Sequence, residues 1–432
     1  MSRAGTRYGR GVVSSHPFRP LRRKSVLLVW GSGLLSDVGT WVQLIVVGSL
    51  VARETGSAVY TGLTALALFT PQGLCAPIGG LLADRYDRRR VFAWALLGQA
   101  IATAVLAAVL ASGVRQPLIL SAIIVFSSAG GALGQPAYSA MLPDLVPPEE
   151  LMAMVALGIY SWNGGRILGP LLGTVLVAVV GPAWTVGFNA ITFAGMALAV
   201  SLLRRAFMPH GSDTGGVVER MRVGMRAVRR VAGCRYGIVM IMILNLSVGP
   251  FMGLIPIYVR EVFGGGTGLA GSLSAVQGVG ALVGGLLFTI FAARHGRGHM
   301  VLVSTTGLVI AYAVYALAPT TIVAGIAVVC LGAGSASLFT SSMAIVQRDA
   351  PHGERGRILS ITQAGMGLCY GVGVLWISVV GDWINIRVAL LVACVVAAIL
   401  SAAFMSIAPN WRRVLDGDVS QVEAESTGLV SA

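Results

Sequence analysis

Long apolar stretches alternate with short polar segments along nearly the whole chain. Twelve of these stretches are almost free of charged side chains. A helix of about 20 apolar residues spans the hydrocarbon core of a bilayer and satisfies its own backbone hydrogen bonds there. The pattern therefore predicts an all-α integral membrane protein with twelve transmembrane helices. Their predicted bounds are 26–52, 60–83, 91–112, 117–141, 151–180, 183–203, 237–259, 268–293, 300–318, 321–347, 358–380 and 387–408.

Composition supports the same class. Apolar residues make up 56% of the 432 residues, the mean hydropathy is +0.81, and 11% of residues are charged. Soluble domains carry roughly 25% charged residues. The sequence therefore predicts the lipid bilayer as a partner of this protein.

The positive charges indicate the orientation. By our count along the sequence, 26 of the 31 Lys and Arg residues fall in segments on one side of the predicted helices. Lys and Arg are retained on the cytoplasmic side, so we expect both termini to be cytoplasmic. Nearly all of these cations are arginine, a bias typical of GC-rich bacteria, so we expect the bacterial inner (plasma) membrane. The cations are dispersed over separate loops, so the net charge of +14 fits anionic lipid and not nucleic acid.

An internal repeat divides the chain. Thr61-Gly62-Leu63 recurs as Thr267-Gly268-Leu269, and the pair Pro147 and Glu150 recurs as Pro351 and Glu354. Two six-helix bundles are predicted, at 26–203 and 237–408. They are flanked by a basic cytoplasmic tail at 1–25 and a cytoplasmic tail at 409–432, and joined by a cytoplasmic central loop at 204–236.

Part of the central loop has helical periodicity. Val218, Met221, Met225 and Val228 fall on one face, and Arg222, Arg226 and Arg229 fall on another. This spacing favours an amphipathic helix on the cytoplasmic leaflet, although a solvated linker remains an alternative.

A cluster of charge separates the second and third predicted helices. Residues 80–89 read Gly-Leu-Leu-Ala-Asp-Arg-Tyr-Asp-Arg-Arg. They resemble the signature loop of the major facilitator superfamily, G-x-L-A-D-R-x-G-R-R, with Asp87 at the second glycine. The resemblance implies a gating loop in which Asp84 faces the start of the eleventh helix near Ile358. The loop residues are Gly80, Asp84, Arg85, Arg88 and Arg89. The alternative, that the arginines only fix topology, explains Asp84 poorly.

Further motifs resemble the drug and siderophore exporters of this superfamily, which include macrolide efflux proteins and the enterobactin exporter. They are Gly39-Thr40-Trp41-Val42-Gln43, Gly134-Gln135-Pro136-Ala137-Tyr138 and Glu354-Arg355-Gly356-Arg357. The fifth helix resembles the antiporter motif G-x-x-x-G-P-x-x-G-G at Gly165, Gly169, Pro170 and Gly173, with Thr174 in place of the final glycine. The three glycines form one bare stripe that permits close helix contact, and ordinary packing would explain that stripe as well.

Two ionisable residues lie at membrane depth. Asp37 lies 11 residues past Val26, and Arg166 is central in its own span. Ionisable groups at this depth are costly and mark ion pathways or buried pairs. We expect Asp37 to exchange a proton, with Arg166 either neutralising it or attracting an anionic substrate. A permanent structural ion pair is the alternative.

Substrate contacts are predicted from polar and aromatic residues at membrane depth. The candidates are Trp41, Gln43, Gln135, Tyr138, Asn245 and Gln277. Each of them could instead join helices to one another. A cavity poor in fixed charge and rich in apolar surface suits amphipathic organic compounds.

The sequence offers little sign of catalytic chemistry. The five cysteines lack the paired spacing of a metal or redox site, and no phosphate-binding Walker loop occurs. We therefore expect no enzyme activity, no metal and no cofactor beyond the proton gradient. The predicted function is secondary active transport by a monomer, with proton-coupled efflux of a small-molecule substrate such as a drug, antibiotic or siderophore. An ion-coupled importer or uniporter of a small organic nutrient is the alternative.

Overall fold

The structure is a computed structural model that describes residues 18–203, 207, 217–351, 353–408 and 411–416, and these residues contain helices and no strand. Most of both predicted tails and parts of the central loop lie outside the described residues. The α-helices are α1 (Lys24–Thr55), α2 (Ala58–Arg85), α3 (Arg88–Ala111), α4 (Pro117–Met141), α5 (Leu151–Ser201), α6 (Val217–Arg230), α7 (Ala232–Ile243), α8 (Phe251–Phe263), α9 (Thr267–His295), α10 (Arg297–Leu317), α11 (Thr321–Asp349), α12 (Arg355–Trp383), α13 (Ile386–Ile407) and α14 (Trp411–Asp416).

Eleven helical stretches within the described ranges are long and apolar enough to cross a membrane. The longest contains two of the predicted spans. Gly181, with φ of 78° and ψ of 170°, interrupts α5 near its middle, and Pro182 follows. Only glycine adopts such a backbone conformation easily.

The register against α1 shows that the chain reverses at this break. Gly165 packs on Asp37 and Gly173 packs on Val42, so the first part of α5 runs parallel to α1. Beyond the break, Asn189 contacts Gly39 and Met196 contacts Gly33, so the second part runs antiparallel. The prediction of twelve spans is confirmed.

The seventh span is built from three pieces. A π-helical turn at Leu244–Val248 joins α7 to α8. Together they cover Ala232–Phe263, a longer stretch than the predicted 237–259. A π-turn shifts the direction of the side chains that follow it, and such turns are frequent at functional sites.

An even number of spans returns the chain to the side on which it started. We call the side that holds the start of α1, together with α6 and α14, the terminal face. The opposite side, which holds the α1–α2, α8–α9 and α12–α13 connections, is the far face. The α1–α2 connection is tight because Gly56 adopts a positive φ of 64°.

The internal repeat is visible in two equivalent ion pairs. Glu150, just before α5, accepts from Arg23, just before α1, at 3.2 Å. In the second half, Glu354 lies just before α12 and is 3.6 Å from Arg230, just before α7. Each half thus ties its entry segment to the start of its fifth span.

The two halves meet along α2 with α12 and along α5 with α9. Glycines allow the backbones to approach closely there. A Cβ added at Gly73 would lie 2.7 Å from the Ala364 carbonyl oxygen, and one added at Gly271 would lie 2.8 Å from the Pro170 carbonyl oxygen. Small residues at helix crossings are how membrane helices pack tightly without a hydrophobic driving force.

Asp382 closes the far face between the halves. Its carboxylate accepts from Ser57 Oγ at 2.5 Å and from the backbone N–H groups of Ala58 and Val59 at 2.5 and 3.2 Å. Ser57 is the N-cap of α2, so an acid from the second half caps a helix of the first half. We call these four residues the far-face latch.

The central loop contains the predicted helix as α6, and its packing differs in detail from the expected face. Gly224, Ala227 and Val228 are buried, with Gly224 against Ile361 of α12. Met221 and Met225 are exposed. The protein therefore covers the small residues of α6, and its position on the leaflet stays a prediction.

Candidate functional site

A small cavity lies between the halves, close to the middle of the membrane helices. Its lining comes from α1 and α5 in the first half and from α8 and α9 in the second half. The lining residues are Trp41, Leu44, Ile45, Pro170, Met252, Gly253, Pro256, Ser274 and Gln277. An apolar wall with a few polar groups is typical of a site for organic molecules.

Arg166 lies beside this cavity and bridges the two halves. Its guanidinium is 5.7 Å from the ring centre of Trp41 in α1, and its Nη2 donates to the Met252 sulfur in α8 at 3.0 Å. Its Nε is buried without a hydrogen-bond partner. Within the described part of the chain, no carboxylate forms a salt bridge with it at 4.0 Å or less.

Asp37 lies on the same face of α1 as Trp41, one turn earlier. Its carboxylate accepts a hydrogen bond from Ser161 Oγ of α5. Tyr138 of α4 is close by, because its hydroxyl approaches Gly33, one turn before Asp37 in α1. Asp37 and Arg166 therefore have separate partners, and the described contacts include no ion pair between them.

The glycine stripe of α5 packs directly on α1. A Cβ at Gly165 would lie 2.8 Å from the Asp37 Cβ, and one at Gly169 would lie 2.8 Å from the Val38 carbonyl oxygen. This contact sets Asp37 and Arg166 at neighbouring levels. Thr174, where the motif has its last glycine, donates to the Pro170 carbonyl one turn earlier at 2.9 Å, and the Thr267 carbonyl lies 3.4 Å from the same hydroxyl across the interface. The stripe therefore allows close packing of α5 on α1.

The other predicted cavity residues have different surroundings. Trp41 and Gln277 line the cavity. Gln43 is buried away from it and accepts from Asn189 Nδ2 at 2.8 Å. Asn245, in the π-turn, donates to the Ile241 carbonyl of α7 at 2.8 Å, and Gln135 is exposed.

The signature loop is fixed within the first half. Asp87, at the motif's second glycine, has φ of −56° and accepts from the Arg89 N–H as the N-cap of α3. A glycine is therefore not required for this turn. Arg88 donates to the Ala140 carbonyl at 3.1 Å and lies 3.6 Å from Asp144, and Arg89 donates to the Leu203 carbonyl.

These contacts give Arg88 and Arg89 a structural role in joining α3 to its neighbours. The remaining members of the predicted gating loop differ in exposure. Asp84 is partly buried at the end of α2, Arg85 is exposed, and Gly80 has open space beside it. The gating role of Asp84 stays a prediction.

Sequence reasoning missed four residues that contact the predicted site residues or join the two halves. They are Ser161, Asn189, Met252 and Asp382. Ser161 could have been predicted from the sequence, because it precedes Gly165 by four residues and so continues the glycine stripe on the face that meets α1. The others are ordinary residues in sequence and gain their significance only from contacts across 86 or more positions.

Comparisons with known proteins agree with this architecture. Residues 15–423 match the family model described as "Transmembrane secretion effector". The chain is 25% identical to Macrolide efflux protein A of Streptococcus pyogenes over 370 residues, which cover 83% of this chain and 90% of that protein. It is 26% identical to the Multidrug efflux pump Tap of Mycobacterium tuberculosis over 372 residues, which cover 84% of this chain and 88% of that protein.

Solved structures show the same fold. A bacterial homologue of the human lysosomal transporter Spinster, in an inward-facing and unoccupied conformation, superposes with a TM-score of 0.71 at 16% identity. The match covers 92% of this chain and 98% of that one. With the family match over nearly the whole chain, these findings lead to one conclusion. The chain belongs to the transmembrane secretion effector family of the major facilitator superfamily, and it is a multi-pass membrane transporter rather than an enzyme.

Proposed function

We propose that this transporter exports amphipathic organic compounds, such as antibiotics or siderophores, in exchange for protons. It acts from the bacterial inner membrane with both termini in the cytoplasm. The relatives named as macrolide and multidrug efflux proteins support the direction and the class of cargo. The positively charged loops support the orientation.

The observation that carries the proton-coupling proposal is the environment of Asp37. This acid lies near the middle of α1, and Ser161 of α5 donates a hydrogen bond to it. No cation among the described residues forms a salt bridge with it. A carboxylate that is not held by a permanent ion pair can gain and lose a proton as its surroundings change, and intramembrane acids commonly serve as proton relays.

Alternating access follows from the arrangement of the halves. The far-face latch joins the halves where the chain leaves α12 and enters α2. With this face closed, cargo enters the central cavity from the terminal face, which is cytoplasmic in the proposed orientation. Rocking of the halves then breaks the latch and releases the cargo outward.

The test measures accumulation of dyes, macrolides and siderophores in an efflux-deficient bacterial host, with and without a protonophore. We expect the protein to lower the accumulation of at least one compound, and the protonophore to abolish this effect. Asp37→Asn should abolish gradient-driven export at normal membrane expression. The control Glu54→Gln removes an exposed acid that pairs with its neighbour Arg53, and it should export normally.

Several outcomes would contradict the proposal. Export that continues at full rate after collapse of the gradient would exclude proton coupling. Full export by Asp37→Asn would exclude this acid as the coupling site. Accumulation above the level of the host without the protein would indicate an importer on the same fold.

A further inference from the structure

Three buried N–H donors without acceptors meet around the central cavity. They are Arg166 Nε, Trp41 Nε1 and Gln277 Nε2. Trp41 is 5% exposed and Gln277 is 1% exposed, so water does not readily satisfy them. Trp41 and Gln277 line the cavity, and Arg166 lies over the Trp41 ring.

Such a cluster is costly unless something binds to it. A buried donor without an acceptor loses its hydration, and a buried cation without a counter-ion loses far more. The contacts of Arg166 with a sulfur atom and an aromatic ring are weak substitutes for a carboxylate. The described acid at the same depth, Asp37, is bonded to Ser161 instead.

The geometry points to an acidic group of the cargo as the missing partner. We propose that the cavity binds an anionic oxygen group, such as a carboxylate, and that Arg166 neutralises this group while Trp41 and Gln277 donate to it. Arginine, with its planar array of donors, suits carboxylates and phosphates well. The inference rests on the proposed function, since it requires that this cavity receives cargo.

The rest of the lining selects the body of the same molecule. Leu44, Ile45, Pro170, Met252 and Pro256 form an apolar wall beside the donors. An inorganic anion would leave this wall without contacts, whereas an amphipathic organic acid contacts both parts once the halves move apart to admit it. The preferred cargo is therefore an organic acid with an apolar body.

The position of the cluster also links binding to the movement of the halves. Trp41 and Arg166 belong to the first half, whereas Gln277 and Met252 belong to the second. Gly278, next to Gln277, packs against the backbone and Cγ of Arg166, so α9 lies against the base of that side chain. An anion bound here contacts both halves and stabilises the arrangement in which they enclose it.

The experiment measures binding to the purified full-length protein in detergent by isothermal titration calorimetry. The probes are two matched pairs of acid and alcohol: 1-naphthaleneacetate with 2-(1-naphthyl)ethanol, and decanoate with decanol. We expect at least one acid to bind about tenfold or more tightly than its alcohol, the scale of a charge-assisted hydrogen bond. Arg166→Gln should abolish this preference, and Arg166→Lys should retain part of it.

Further variants separate binding from folding. Trp41→Phe keeps an aromatic ring but removes the indole N–H together with part of the ring, so it should weaken binding of the acid more than binding of the alcohol. Arg53→Gln, which removes an exposed arginine at the far end of α1, should leave the preference intact. All variants are compared at equal monodispersity on size-exclusion chromatography.

Equal affinities within both pairs, tighter binding of the alcohols, or a preference for acid that survives in Arg166→Gln would overturn the inference. These results are distinguishable from failure of the proposed function, because binding in detergent needs no gradient and no direction. Gradient-driven export without acid preference would refute only the anion site. Acid preference without gradient-driven export would refute only the proton-coupled efflux.

Discussion

The far-face latch offers a direct test of how the halves are held together. In Asp382→Asn the side chain keeps its shape but loses its charge and one of its two acceptor oxygens. The native carboxylate accepts three hydrogen bonds at the start of α2, at 2.5, 2.5 and 3.2 Å. Because the substitution acts only on the conformation in which the latch is formed, it should shift the population toward the open far face.

The size of the shift follows from the environment of the latch. Hydrogen bonds to a charged acceptor contribute about 1.5–3 kcal/mol each when buried. Asp382 is exposed, however, so water compensates for most of the loss, and N-cap substitutions cost about 0.5–2 kcal/mol. We expect a loss of about 1 kcal/mol, which corresponds to an increase of about fivefold in the ratio of open to closed molecules.

The assay uses a cysteine placed beneath the latch. Ser378 is fully buried at the interface against Gly62, four residues before Asp382. In a background without the five native cysteines, Ser378→Cys should react slowly with a maleimide in the purified protein. Adding Asp382→Asn should raise the labelling rate about fivefold, whereas adding Glu54→Gln on the same face should not. An unchanged rate with Asp382→Asn would refute the latch.

Two further predictions concern the packing that positions the site, and both are read from the thermal unfolding temperature of the purified protein. Gly169→Ala places a methyl group against the α1 backbone and should destabilise the fold by about 1–3 kcal/mol. Gly158→Ala, with open space beside it, should instead leave the fold as stable or slightly more stable, because alanine favours the helix. Equal unfolding temperatures of the two variants would contradict the close contact at Gly169. Gln43→Leu leaves the Asn189 amide without its partner and should cost about 1–3 kcal/mol, whereas adding Asn189→Leu should recover part of this loss. Strict additivity of the two changes would show that the amides are not coupled.

Much of the architecture was predictable because a bilayer imposes simple rules. Helices of fixed minimum length are required, and cations mark one side. The predicted span 117–141 coincides with α4, and 387–408 differs from α13 by one residue at each end. The signature loop was also identified, although Asp87 makes the turn as a helix cap and not through the flexibility of glycine.

The site was less predictable because hydropathy does not specify how each helix is rotated or which neighbour it meets. Gln43 and Gln277 are both amides at membrane depth, yet one is bonded within the first half and the other points an unpaired N–H at the cavity. Sequence reasoning could not separate them. Rotation is set by packing of small residues against neighbouring helices, which depends on partners far away in the chain.

The sequence by itself determined the twelve membrane spans, the two related halves and the depth of Asp37 and Arg166, since each follows from counting apolar residues between charges. Only the tertiary structure decided that these two ionisable groups have separate partners. The glycine stripe of α5 brings Asp37 to Ser161, while Arg166, on another side of the same helix, faces Trp41 and Met252. Depth along a helix is a local property of the chain, whereas the partner at that depth depends on how all the helices pack together.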